Sequence, residues 1–295
     1  MANAETLRVV DPLEYNRAFL TKGVRPDGRA LLRGRKAVPH GSPITSAEGS
    51  ALLRLGETAV LVGVQCEPTA PSEMEPTQGR IVVGVDVAAV SSPASSAAAL
   101  GGFGGGGGGG RLEREKAVLV EFLQRVASGG LIDLNSLCAV EGVAVWSLYC
   151  DVCVLQHDGN LLDASLMAMM LALSRVKLPS VKVAGSGDAG TEATAAGSDD
   201  GGPGLVVVAE EAIPVVLSAP LYPISFGLIA DVMVCDPNAD EEALISTSLT
   251  LLLDGKGGMV VTHKPGGAPL PEGSMEACLE AARRRLPALR ALVQQ

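Results

Sequence analysis

The amino-acid sequence predicts an α+β fold of two similar lobes, each a mainly antiparallel sheet with helices packed on it. Short apolar or alternating runs recur between turn residues, which is the pattern of strands. Longer segments at 111–127, at 162–176 and after Pro271 have the apolar spacing or composition of helices instead. A second series of strands begins at Leu205, after a segment rich in Gly, Ala and Ser, so the chain divides into two comparable halves.

The N-terminal region predicts a helix and a turn ahead of the first strand. Asp11 is a good N-cap, and Pro12 suits the first helical position. Gly23 ends this helix, and the sequence VRPDGR at 24–29 is typical of a turn. The predicted strands cover residues 50–55, 58–65, 80–87 and 143–155 in the first half, and 205–208, 215–217, 224–228, 231–235, 244–253 and 259–263 in the second.

Two low-complexity segments set the predicted domain boundaries. Residues 1–30 form the N-terminal helix and turn, and residues 31–183 form the first lobe, with a Gly-rich insert at 91–110. Residues 184–204 form a low-complexity loop, and residues 205–295 form the second lobe with its C-terminal helix. Both inserts contain few large apolar residues that could be buried, so we expect them to be flexible loops.

Composition argues against several classes of protein. The chain of 295 residues is 47% hydrophobic, which is enough for a substantial core, and its net charge is −10. A free-standing nucleic-acid-binding protein usually has a basic face, so any contact with nucleic acid must be local or shared with other subunits. We expect no secretory signal and no membrane span, because residues 1–11 lack an apolar core and no sufficiently long apolar run follows.

Several familiar motifs are incomplete. The glycine run at 104–110 lacks the Lys-Ser or Lys-Thr of a phosphate-binding loop. Cys150 and Cys153 have no second cysteine pair at zinc spacing, and all six cysteines lie in apolar segments, which indicates free thiols. The three histidines lie far apart in the sequence and have no recognisable nucleophile beside them. We therefore expect no bound metal and no cofactor.

The most informative segment is a strand that turns sharply into a helix. The apolar run 143–155 ends at Asp158-Gly159, a tight-turn signal, and a helix rich in Ala, Leu and Met follows at once. We call residues 158–162 the helix tip. A helix N-terminus attracts anions, because its free N–H groups and its dipole point outward. Here, however, the tip carries Asn160, Leu161 and Leu162, with no Arg, Lys, Ser or Thr.

A cluster of acidic residues follows a predicted strand of the second half. Asp236, Asp240, Glu241 and Glu242 come directly after the apolar residues 232–234. Carboxylates at a strand end can hold Mg²⁺ or act as a general acid. An ordinary solvated acidic loop is the alternative, and the residues alone leave both interpretations open.

Four segments together resemble the ribonuclease PH family, in matching order and spacing from about Asp11 to Leu289. They are VRPDGR, GSALLRLGETAVLVGVQCE, LQHDGNLLDASLMAMMLAL and PISFGLIADVMVCDPNADEEALISTSLTLLLD. In particular, the chain resembles the non-catalytic ring subunits of the eukaryotic RNA exosome. That resemblance implies a ribonuclease PH-like fold, and a ring of six such chains around an RNA channel. It also implies S1/KH cap subunits, a hydrolytic nuclease bound to the ring, no membrane, and a location in the nucleus, nucleolus and cytoplasm.

The resemblance further implies that the chemistry of active members is degraded here. Active members cleave RNA by phosphorolysis and hold phosphate with Gly-Thr-Arg or Gly-Ser-Arg, where this chain has residues 160–162. They also carry an Asp-x-x-x-Glu-Asp pattern followed by a further Asp, which aligns with Asp236, Asp240, Glu241 and Thr247. The resemblance therefore predicts a catalytically inactive pseudo-enzyme that supports rRNA maturation and mRNA turnover. The alternative is an active phosphorolytic 3′→5′ exoribonuclease that uses Mg²⁺.

Three cations are candidates for contact with RNA in such a channel. Arg111, Arg114 and Lys116 open a helix directly after the glycine run. A phosphate contact from such residues adds affinity that depends on salt but not on RNA sequence. The alternative is an ordinary solvated face, in which Glu113 and Glu115 are the salt partners.

Overall fold

A computed structural model describes residues 4–87, 108–183 and 205–293 of the chain. It contains a six-stranded sheet, a four-stranded sheet and a two-stranded ribbon, with helices packed on them, so the predicted α+β class is confirmed. The loop expected at 184–204, and the Gly-rich insert up to residue 107, lie outside the described residues.

The elements are numbered in chain order within the described ranges. The helices are α1 (Ala4–Val10), α2 (Pro12–Leu20), α3 (Gly108–Val126), α4 (Leu161–Leu173), α5 (Ala239–Glu242) and α6 (Ser274–Val293). The strands are β1 (Ala37–His40), β2 (Gly49–Leu55), β3 (Thr58–Thr69), β4 (Arg80–Val87), β5 (Cys138–Val140), β6 (Ala144–Gln156), β7 (Lys177–Val183), β8 (Leu205–Pro214), β9 (Tyr222–Ile229), β10 (Val232–Cys235), β11 (Thr247–Leu253) and β12 (Met259–His263).

The six-stranded sheet has the order β1-β2-β3-β6-β4, and β5 pairs with β6. Neighbouring strands are antiparallel, except that β4 runs parallel to β6. Gly56 has a φ of +62° in the turn between β2 and β3, and Leu55 pairs with Thr58 across it. This is the hairpin that the sequence predicts, because glycine adopts the left-handed region without steric cost.

The four-stranded sheet has the order β10-β9-β11-β12, with every pair antiparallel. The turn between β11 and β12 is held by Asp254, whose Oδ1 accepts hydrogen bonds from the N–H groups of Lys256 at 2.8 Å and Gly258 at 2.7 Å. An Asp side chain that bonds the backbone two residues on is a common turn device, so this predicted hairpin is confirmed as well.

Helix α4 lies between the two sheets. It packs on β2 and β3 of the larger sheet and on β9 of the smaller one, and residues from Asp163 to Leu173 are all buried. A helix that is buried on every side must be apolar on every side, which explains its Ala-, Leu- and Met-rich sequence. One apolar cluster therefore runs through both lobes, and the N-terminus of α4 lies where they meet.

The structure differs from the predicted elements in several places. Helix α1 and strands β1, β5 and β7 were not predicted. Helix α4 ends at Leu173 rather than near residue 176, and Pro179 lies within β7, where the register of the β7–β8 ribbon shifts directly after it. Residues 215–217 do not form a strand, and Leu217 makes only an isolated bridge with Ile132. Helix α6 continues past Pro287 instead of ending there. Within the described ranges, none of these helices is long and apolar enough to span a bilayer.

Candidate functional site

The helix tip is seated directly against the loop that follows β10. Gly159 and Asn160 both have left-handed backbones, with φ of +76° and +55°. A Cβ at Gly159 would lie 2.6 Å from the carbonyl carbon of Asn238 and 2.7 Å from the carbonyl oxygen of Pro237. Only glycine fits there, so the first-lobe turn and the second-lobe loop are held in close contact.

A cavity of about 560 Å³ opens beside the helix tip. Its wall brings together three parts of the chain that are distant in sequence. They are Asn160, Leu161 and Leu162 of the helix tip, Thr247 of the acidic pattern, and Arg114 of α3. Other lining residues come from both lobes and include His157, Ser225, Phe226, Glu242, Ile245, Ser246, Ser248, Thr250, His263 and Gly267.

The position that an anion would take at the helix tip is held by a carboxylate of the chain itself. The backbone N–H of Asn160, the N-cap of α4, donates a hydrogen bond of 2.6 Å to Oε1 of Glu242. Leu161 and Leu162 lie beside it in the cavity wall and are half-buried. Sequence reasoning placed Glu242 in the acidic cluster but did not predict its contact with the helix tip, because spacing alone does not tell which member of an acidic run turns toward the helix.

Asp236 is enclosed by arginines rather than open to a metal ion. Its carboxylate is fully buried and accepts a hydrogen bond of 2.8 Å from Nη2 of Arg35. Nitrogens of Arg29 and Arg285 lie 3.6 and 3.7 Å away. Burial by itself raises the pKa of the carboxyl group, but the hydrogen bond and charge of Arg35, the charge of Arg285 and the amide of Asn160 lower it to about 2. Asp236 therefore stays ionised as the centre of a buried charge cluster.

Glu241 and Asp240 turn away from the cavity. Glu241 is buried against Arg25, with an Nε–Oε1 distance of 2.7 Å and a second contact between Nη2 and Oε2. It also forms a capping box with Asn238, since each residue accepts the other's backbone N–H at 2.9 Å. Asp240 is exposed and pairs with Arg8 at 2.5 Å. The predicted acidic group is therefore divided among three different environments.

Thr247 lies in the cavity wall, where its hydroxyl donates a hydrogen bond of 2.8 Å to the carbonyl oxygen of Ala268. Its side chain has no charge and its hydroxyl hydrogen is already committed. No cluster of three or more His, Cys, Asp or Glu side chains suited to a metal ion occurs in residues 4–87, 108–183 and 205–293.

A third buried carboxylate, Asp163, was missed by sequence reasoning. It accepts hydrogen bonds from Ser225, at 2.9 Å from the backbone N–H and 2.7 Å from the hydroxyl, and at 2.9 Å from the amide of Asn160. Burial raises the pKa of Asp163, and these hydrogen bonds oppose the increase. The only signal in the sequence was a lone Asp in an apolar helix. Its role is to join α4 to β9, and thus one lobe to the other.

The three candidate RNA-binding cations fall in different positions. Arg114 is exposed and lines the cavity at the helix tip. Lys116 is half-buried two positions further along α3. Arg111 belongs to α3, but its side chain is outside the part of the chain that the structure describes.

Two lobes of mainly antiparallel sheet around a buried helix, with a cavity at the N-terminus of that helix, define a ribonuclease PH-like chain. Residues 37–179 match domain 1 of the 3′ exoribonuclease family, RNase PH, and residues 219–285 match domain 2. Together the matches cover more than half of the chain. The chain belongs to the 3′ exoribonuclease (RNase PH) family.

Relatives match over nearly their whole length. The chain is 28% identical to exosome complex component rrp43 of Schizosaccharomyces pombe, covering 94% of this chain and 93% of that protein. It is 29% identical to exosome complex component Rrp42 of Methanosarcina acetivorans, covering 95% and 92%. Its structure is similar to a chain of the Archaeoglobus fulgidus exosome with RNA bound to the active site, with a TM-score of 0.70, 27% identity and coverage of 94% and 96%. An archaeal exosome core, with a TM-score of 0.71, 24% identity and coverage of 100% and 98%, has the same fold.

Proposed function

We propose that the chain is a catalytically inactive structural subunit of the six-membered RNA exosome ring, of the kind called exosome component 8 in animals. In this role it supports 3′→5′ processing and degradation of RNA, including rRNA maturation and mRNA turnover, by helping to form the RNA channel. The observation that carries the proposal is the helix tip, where Glu242 and two leucines stand in the place of a phosphate-binding element.

The residues at the helix tip are poorly suited to binding phosphate or to activating it. Leucine has no hydrogen-bond donor, whereas the guanidinium that the family resemblance implies for active members offers a fork of them. A phosphate at the N–H of Asn160 would have to displace the carboxylate of Glu242 and then remain near a group of like charge. Both effects weaken phosphate binding at this site.

The acidic residues are committed to the fold. An active phosphorolytic enzyme would need Asp236, Asp240 and Glu241 to act together, with Mg²⁺ between them. In this structure Asp236 and Glu241 neutralise buried arginines. Withdrawing either carboxylate toward a metal would leave a buried guanidinium without its partner, which is strongly destabilising. The alternative function therefore has little support from the geometry.

Membership of an assembly is supported by the outer edge of the smaller sheet. Strand β12 is the last strand of that sheet, and Met259, Val260 and Val261 on it are 46%, 55% and 38% exposed. No described strand pairs with the outer edge of β12, and such an edge carrying adjacent apolar side chains needs a cover. We propose that neighbouring ribonuclease PH-like subunits supply it, in a ring that also carries S1/KH caps and a hydrolytic nuclease and passes RNA through its channel. Nucleus, nucleolus and cytoplasm are the compartments proposed.

Co-expression with the other ring subunits tests the structural role. The chain should co-purify in a stoichiometric complex, and its melting temperature should rise on assembly, because a large interface is buried. Val260→Lys should weaken assembly, whereas Met74→Lys, at a loop residue that is 94% exposed, should not. A monodisperse monomer whose melting temperature is unchanged by every ring subunit would contradict the proposal.

A further inference from the structure

A second cavity, of about 570 Å³, lies between residues 30–37 and helix α6. It shares no lining residue with the cavity at the helix tip. We call it the α6 groove, and its main residues are Leu32, Arg33, Lys36, Arg284, Ala288 and Leu292.

The α6 groove is cationic in a chain whose net charge is −10. Its described lining residues include five arginines or lysines and no carboxylate. Two of the five, Arg35 and Arg285, are turned toward the buried Asp236, and Arg284 pairs with Glu280 at 2.7 Å. The side chains of Arg33 and Lys36 are exposed, and neither makes a hydrogen bond or ion pair with any described residue. These two positive charges therefore face solvent without a counter-charge from the described part of the chain.

The floor of the α6 groove is apolar. Ala281, Ala288 and Leu292 recur at helical spacing along one face of α6, so they form a continuous stripe. Leu32 and Ala37 line the groove from the opposing segment. Ala288 is exposed, and its short side chain leaves room between the two walls. The groove thus offers an apolar floor with the positive charges of Arg33 and Lys36 beside it.

We propose that the α6 groove docks an acidic peptide segment of a partner protein. One or two apolar side chains of that segment would pack against Ala288 and Leu292, while its Asp or Glu side chains would pair with Arg33 and Lys36. Charge complementarity of this kind steers association and fixes orientation, and the apolar floor supplies buried area. This inference does not depend on catalytic inactivity, because the groove is separate from the helix tip.

An acidic peptide fits the groove better than RNA does. Both ligands carry negative charge, but single-stranded RNA is commonly held by stacking its bases on aromatic side chains. The described lining of the α6 groove contains no Phe, Tyr, Trp or His. Its alanines and leucines are suited instead to aliphatic side chains of a peptide.

Panning a random peptide library, with peptides of about twelve residues, against the full chain tests this inference. Selected peptides should be enriched in Asp and Glu together with Leu, Ile or Met. Their affinity, measured by fluorescence anisotropy, should fall about tenfold or more in Arg33→Glu/Lys36→Glu. It should change little in Lys22→Glu/Lys256→Glu, which makes the same change in net charge at exposed residues outside the groove. Ala288→Trp, which fills the groove and keeps every cation, should also weaken binding.

Repeating the measurement with the assembled ring separates two sources of the segment. Binding that survives assembly assigns the segment to a protein outside the ring, and binding that assembly abolishes assigns it to a neighbouring subunit. Peptides without acidic enrichment, or equal losses of affinity in the groove and control variants, would overturn the proposal. So would an oligouridine RNA that binds more tightly than the peptides and binds less tightly to Arg33→Glu/Lys36→Glu.

Discussion

The carboxylate of Glu242 lies 2.6 Å from the backbone nitrogen of Asn160, which places a negative group of the second lobe at the N-terminus of the central helix α4. A helix N-terminus stabilises negative charge, so this contact helps to hold the lobes together. The same hydrogen bond leaves this N–H group unavailable to an external anion, which is the basis for the proposal that the chain does not bind phosphate here.

Substitution of Gly159 should destabilise the protein far more than substitution of another left-handed glycine. In Gly159→Ala the new Cβ would clash with backbone atoms of Pro237 and Asn238, so we expect a decrease in stability of roughly 3 kcal/mol or more. Gly28, with φ of +82°, has nothing within 4 Å of its Cβ position. Gly28→Ala should therefore cost only about 1–2 kcal/mol of backbone strain. Urea unfolding of both variants measures this difference. Equal decreases in the free energy of unfolding would show that the close contact between the helix tip and the loop at 237–238 does not limit the residue at position 159.

Removal of Arg25 should be strongly destabilising, because Glu241 would keep a buried charge without its main partner. Arg25 and Glu241 have side chains that are 0% and 2% exposed, and Arg25→Leu should cost about 3–5 kcal/mol in urea unfolding. Arg25→Leu/Glu241→Gln should recover part of this stability, since Gln can still complete the capping box. Arg17→Ala breaks an exposed pair with Glu14 and should change stability by less than about 1 kcal/mol. A double variant that is no more stable than Arg25→Leu would show that the unpaired charge of Glu241 is not the cause of the destabilisation.

The charge cluster around Asp236 predicts a specific loss of stability in acid. The arginines beside Asp236 lower its folded-state pKa to about 2, below the ordinary value of 3.8. Its stabilisation is therefore fully present above about pH 4 and is lost as the pH falls toward 2, and it amounts to about 2 kcal/mol. Asp236→Asn should lower the free energy of unfolding at about pH 6, and its difference from wild type should narrow as the pH falls below 4. Parallel stability curves for the two proteins would rule out this role.

The cations at the start of α3 should affect RNA only in the assembled ring. Arg111→Glu/Arg114→Glu should weaken protection of single-stranded RNA, and the salt slope should fall by about 0.7 for each phosphate that these side chains no longer neutralise. Arg17→Glu/Arg125→Glu makes the same change in net charge at two exposed arginines, one in α2 and one near the end of α3, and should leave both quantities unchanged. If the intact variant ring protects RNA like wild type, these residues belong to an ordinary solvated face.

Strong local signals predicted most of the fold. Hairpins such as β2–β3 and β11–β12 were readable because apolar runs flank a turn of known chemistry. Strands β1 and β7 were missed because Pro39 and Pro179 interrupt their patterns, and their pairing depends on partner strands. Helix α6 was expected to stop near Pro287, yet it continues to Val293, and Leu289 in this last part is buried against the core. Tertiary packing outweighed local propensity there.

Only part of the candidate site could be predicted from the sequence. The strand, turn and helix order placed the helix tip, since that signal is contained in a few neighbouring residues. The partners of the acidic cluster were not predictable from spacing, because Arg25 is 216 positions from Glu241 and Arg35 is 201 positions from Asp236. The segment VRPDGR forms the predicted turn, but the sequence did not show that its two arginines also enclose the carboxylates of the second lobe.

Catalytic inactivity is tested most directly by release of nucleoside diphosphate from polyadenylate in phosphate buffer with Mg²⁺. The purified chain, alone and in the assembled ring without the hydrolytic nuclease, should release none above a blank without protein. Leu162→Trp, which would fill the cavity at the helix tip, is the matched variant, because substitution of Asp236 would also lower the stability of the fold and so could not separate activity from stability. Phosphate-dependent release by the wild-type chain that disappears in Leu162→Trp would contradict the account and establish an active phosphorolytic exoribonuclease.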